Sequence, residues 1–142
     1  MKAIVGGAGS GKTRKIVELI GEMEVFKRVK IIDGENHPDR FTNWAEELGV
    51  DRHEVVVDIC HFESFADVII QVLSDKHSKV IFIDAPLLYS IRDLETLEAI
   101  EGFVEKEIYV CVQTNREAGI KEAVVRDWRE LIGGVYLSLI HI

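Results

Sequence analysis

The chain is poor in the residues that punctuate and cross-link. It has only two prolines in 142 residues and no low-complexity tract, so no linker or domain boundary can be placed and a single domain is expected. Its two cysteines, Cys60 and Cys111, are far apart and form no CxxC, which excludes a disulfide framework and makes them core thiols. No apolar run approaches the ~20 residues of a membrane span, and no signal-peptide pattern opens the chain, so a cytoplasmic protein with no membrane partner is expected. Positive charge is also scarce. The 17 Lys and Arg against 25 Asp and Glu give a net charge of −8, which argues against holding nucleic acid by bulk electrostatics. A local basic loop, or DNA binding by an assembly, stays open. His37, His53, His61 and His77 lack metal-ligand spacing and read as loop or surface residues.

What is present alternates between two periods. Apolar runs at 2–5, 29–33, 54–59, 79–84 and 107–112 read as strands. Between them lie helical stripes: Ile16, Val17, Leu19, Ile20 and Met23; Phe41, Trp44, Ala45 and Leu48; Phe65, Ile69, Val72 and Leu73; Leu94, Leu97, Ile100, Phe103 and Val104. Ile120, Val124, Trp128, Leu131 and Ile132 suggest a last helix, and Ser64 is placed to cap the third. Both tryptophans fall on apolar helix faces, where core packing is the expected role. Strands that are continuously apolar and alternate with helices predict an α/β fold, a mostly parallel sheet with helices on both faces.

The end of the chain reads in two ways. "LSLIHI", 137–142, extends a sixth strand begun by Val135 and Tyr136, or it is read-through into a sequencing adapter. One reading frame of the transposase end used to fragment sequencing libraries encodes these six residues. The second reading is the expected one. It makes 1–136 a C-terminally truncated ATPase core, and unrelated codons in the source genome would refute it.

The stretch "AIVGGAGSGKT", 3–13, carries the chemistry. Gly6, Gly7, Ala8, Gly9, Ser10, Gly11, Lys12 and Thr13 fit GxxxxGK[ST] in full, between an expected strand and an expected helix. The glycines let successive N–H groups face phosphate oxygens, and the helix N-terminus adds positive potential. Lys12 is expected on the β- and γ-phosphates of ATP and the Thr13 hydroxyl on Mg²⁺. Asp84 ends the apolar strand "VIFID" as in a Walker B motif, which puts its carboxylate in the Mg²⁺ shell.

The next residues are Ala85 and Pro86, so the glutamate that often follows such an aspartate is missing. In "IIDGENHPDRF" Glu35 stands two residues past the second strand and is the expected water-activating base, with Asp33 as its competitor. In "YVCVQTNREAG" Gln113 follows the fifth strand. Its amide can donate to a γ-phosphate oxygen and accept from water, which suits a phosphate sensor.

Taken in order, these four stretches resemble the RecA-like ATPases, the RecA and RadA recombinases and the DnaB-type helicases. "IIDGENHPDRF" and "AEELGVD" are similar to recombinase segments, and "VQTNRE" to the helicase segment in which a Gln ends the strand. The resemblance implies a RecA-like P-loop NTPase core with the fifth strand between the P-loop strand and the Walker B strand. It also implies a homo-oligomer whose active site is completed by an Arg or Lys from a neighbour; no residue here identifies such a finger.

A DNA contact fits best in 114–129, through Arg116, Lys121, Arg126 and Arg129, although the same four also fit a solvated helix face. The expected function is Mg-dependent ATP binding and hydrolysis in DNA recombination, repair or replication. A small-molecule or nucleotide kinase and a nucleotide-dependent switch are the alternatives. The choice between ATP and GTP is open.

Overall fold

The computed structural model describes residues 1–6, 12–23, 28–34, 46, 56–84, 90–113 and 135–138. Within them are six strands: β1 (Lys2–Gly6), β2 (Arg28–Asp33), β3 (Val56–His61), β4 (Val80–Asp84), β5 (Glu107–Gln113) and β6 (Val135–Ser138). Three helices accompany them: α1 (Lys12–Gly21), α2 (Phe65–Ser74) and α3 (Ile91–Val104). The strands form one sheet in the order β3-β2-β4-β5-β1-β6, and every neighbouring pair is parallel. β5 therefore lies between the P-loop strand and β4, as the resemblance implied, and the fold is the RecA-like α/β arrangement.

Alternate residues of each strand face opposite sides of the sheet, and each side has its own core. On one side, Ile16, Val17 and Ile20 of α1 pack with Ile4, Val29, Ile31, Val80, Phe82, Tyr109 and Cys111. On the other, Val68 and Val72 of α2 and Leu94 and Leu97 of α3 pack with Ala3, Ile32, Ile81, Ile83, Ile108 and Val110. The sides follow from handedness. The path from β1 to β2 crosses the sheet in one direction, and those from β3 to β4 and from β4 to β5 cross it in the other. Right-handed crossovers then require opposite faces.

Local chemistry starts these helices. The Ser64 hydroxyl accepts from the Asp67 N–H, as expected. Ser90 and Asp93 form a reciprocal capping box at α3 that the apolar stripes did not reveal. Two expectations need correction. Leu73 is 53% exposed and Phe103 is 86% exposed, while Val68 takes an inward position of α2. A helix turns 100° per residue, so a stripe centred on 65, 68, 69 and 72 leaves Leu73 past its margin. Phe103 lies in the last turn of α3, just before Glu105 takes the left-handed conformation and ends the helix.

β3 runs two residues past its expected end and closes on His61, an exposed residue; Cys60 is only partly buried. β6 runs through Leu137 and Ser138, paired with Ile4 and Val5 of β1. It thus spans the boundary placed after residue 136. Apart from Glu46, which is helical, the expected helices at 38–48 and 120–132 and residues 139–142 lie outside the described residues.

Candidate functional site

All strands point the same way, so their carboxyl ends form one edge of the sheet. Gly6 leads from β1 toward the glycine loop, and Lys12 is the first residue of α1. α1 covers one face and α3, which follows β4, covers the other. Open parallel sheets of this kind hold ligands at this carboxyl edge.

Three described side chains gather there. Thr13, in the first turn of α1, donates its hydroxyl to Asp84 Oδ2 at 3.0 Å. Asp84 ends β4 and is 5% exposed. Asp33 ends β2, is 1% exposed and stands in register with Asp84. Strand alternation puts both aspartates on the α1 side, with Val29 and Ile31 before one and Val80 and Phe82 before the other.

The backbone fixes this row. Gly34 N–H donates to the Asp84 carbonyl at 2.9 Å, and Phe62 N–H donates to the Asp33 carbonyl at 3.3 Å. His61 ends β3 in register with Asp33, and its Nδ1 is 2.8 Å from the same carbonyl. A carbonyl only accepts, so Nδ1 carries the proton in this contact.

Of the residues singled out from sequence, Thr13 and Asp84 are thus brought together, with Asp33 beside them. Gln113 is the last residue of β5 and stands in register with Gly6, next to the P-loop strand. Gly7, Ala8, Gly9, Ser10, Gly11, Glu35 and the 114–129 segment lie outside the described residues. What the sequence missed is His61: its spacing suggests no ligand role, and only the register of β3 brings it to this edge.

The donor set is of hard oxygens. A hydroxyl and a carboxylate in contact suit Mg²⁺, which keeps several waters and takes few protein ligands beside phosphates. Among the described residues, no group of three or more His, Cys, Asp or Glu is arranged as a protein-only metal cage. No described helix is long and apolar enough to cross a membrane.

No family model matches the chain, and no curated protein matches its sequence. Among solved structures the chain is similar to SulA from Pseudomonas aeruginosa, with a TM-score of 0.54 and 12% identity over 78% of this chain and 95% of that one. It is also similar to the arterivirus nonstructural protein 10 helicase in complex with DNA, with a TM-score of 0.51 and 14% identity over 96% of this chain and 35% of that one. A second crystal structure of that helicase gives 0.50 and 15%, over 96% and 34%. The chain spans about a third of the helicase's length. At these identities the likeness is one of fold.

Proposed function

We propose that the chain binds Mg·ATP on the 6–13 loop and hydrolyses it, as a RecA-like ATPase serving DNA recombination, repair or replication. The observation that carries this reading is the 3.0 Å contact between Thr13 and Asp84, which joins the end of the P-loop motif to the end of the Walker B strand. Support for nucleic acid comes from the arterivirus helicase, whose structure was solved with DNA.

Lys12 and the loop N–H groups hold the phosphates, and Thr13 with Asp84 holds the metal ion. When bound, that ion neutralises charge developing on the β- and γ-oxygens. Glu35 orients a water and takes its proton as the water oxygen attacks the γ-phosphorus. The bond from that phosphorus to the bridging oxygen breaks, and ADP leaves with the electron pair. Gln113 reports whether the γ-phosphate is there. Assembly into a homo-oligomer would let a neighbour supply a cation to the same site.

The test is ATP turnover with and without single-stranded DNA, in the wild type, Lys12→Ala and Glu35→Gln. Lys12→Ala is expected to lose ATP binding, Glu35→Gln to bind without turnover, and DNA to raise the wild-type rate. Tight ATP binding by Lys12→Ala would remove the phosphate assignment, and normal turnover in Glu35→Gln would remove the base. Phosphate transfer to a small acceptor without DNA would instead make the chain a kinase. Nucleotide-dependent partner binding with negligible turnover would make it a switch.

A further inference from the structure

Among the described residues Asp33 is the most buried charged residue at the carboxyl edge, and the nucleotide reading gives it no settled role beyond that of competitor to Glu35. Its place in the sheet argues against its being the base. β2 lies three strand spacings from β1, about 14 Å at the usual separation, whereas β4 lies two away. A short aspartate side chain on β2 therefore stops well short of a phosphate held on the β1 loop. It does reach the neighbourhood of Asp84, because the two are in register on adjacent strands and on the same face.

Asp33 is also unusually well fixed. Its carbonyl accepts from the Phe62 N–H and from His61 Nδ1, and the next residue, Gly34, donates to the Asp84 carbonyl. These bonds hold Asp33 and Asp84 at one height. Mg²⁺ meets protein largely through its own waters, so a second carboxylate one strand beyond the first is placed for such a water.

We infer that Asp33 is a positioning residue of the metal site, accepting a hydrogen bond from a water that the ion carries while Asp84 and Thr13 lie closer to it. His61 and Phe62 serve the same end by pinning the Asp33 backbone. The inference rests on the Mg·ATP reading above.

The test is binding of a fluorescent ATP analogue to the wild type and Asp33→Asn, in EDTA and across a magnesium titration. Both proteins are expected to bind the metal-free nucleotide within about twofold of each other. The magnesium concentration for half-maximal enhancement is expected to rise about tenfold or more in Asp33→Asn, the usual effect of losing a group that orients a metal's ligands. An unchanged magnesium midpoint in a variant that melts as a folded protein would overturn the inference and leave the nucleotide reading standing. Failure of the wild type to bind the analogue at any magnesium concentration would overturn both. If Asp33→Asn does not fold, a crystal structure of the wild type with Mg²⁺ and a non-hydrolysable ATP analogue decides. A metal-bound water within hydrogen-bond distance of the Asp33 carboxylate is expected, and a carboxylate turned away from the ion's shell refutes the role.

Discussion

The two edges of one sheet treat buried acids in opposite ways. At the amino edge, Asp75 stands in the turn before β4 with its side chain 6% exposed. Lys30 Nζ lies at 3.6 Å and Lys106 Nζ at 3.3 Å. The Ser78 hydroxyl donates at 2.7 Å, and the N–H groups of His77 and Ser78 each donate at 2.8 Å. Burial pushes the Asp75 carboxyl up, but the Ser78, His77 and Lys106 hydrogen bonds outweigh it and hold the group well below the usual carboxylate range. At the carboxyl edge, Asp84 meets a hydroxyl and, in register, a second acid. At the amino edge an acid ringed by donors and lysines ties loops to strands; at the carboxyl edge two acids stand in register where the proposed Mg·ATP site would need them.

Substitutions can break or sharpen that contrast. On the proposed Mg·ATP reading the largest effect is expected from Asp84→Asn, with ATP turnover falling about 10³-fold, or about 4 kcal/mol, because the proposed metal ligand would be lost. Its unfolding free energy in urea without metal should change by about 1 kcal/mol or less. A large loss of stability with turnover intact would reverse the assignment of the two edges.

Asp75→Asn should show the opposite pattern. It leaves two largely buried lysines short of their acid, for a cost of about 3 kcal/mol read by urea unfolding. Acid should shrink that difference. The folded Asp75 carboxyl is depressed, so its contribution is complete above the unfolded value near ~3.9 and fades as pH falls toward the folded one. Melts of wild type and Asp75→Asn should therefore converge below about pH 4, and a gap that stays constant to pH 2 would show that the charge is not what stabilises. The smallest effect is expected from Ser90→Ala, about 1 kcal/mol for loss of one half of the α3 capping box. It shows whether a purely local device near the carboxyl edge can be weakened on its own.

How far the sequence revealed these edges depended on the kind of signal. β4 was readable because "VIFID" is buried at all five positions, so its apolar run and its closing acid both stand out. The central place of β5 came from a family resemblance, since strand order depends on crossovers that periodicity does not encode. Leu73 and Phe103 were misplaced because a stripe's margin is decided by where the neighbouring surface ends. His61 and the Asp75 cluster were hidden for a related reason. Their partners are distant in sequence: His61 meets Asp33, and Asp75 meets Lys30 and Lys106, so only register and packing bring them together. Thr13 and Asp84, 71 residues apart, were linked in advance because each belonged to a motif with a known mechanical partner.

The pairing of β5 has a mechanical consequence. Its residues Glu107 to Cys111 are bolted to β4 on one flank, and Tyr109 to Gln113 to β1 on the other. Among the described residues, Val112 and Gln113 run past the end of β4 and pair with β1 alone. A strand riveted along its shaft and held at its tip by one neighbour behaves as a post with a built-in fulcrum.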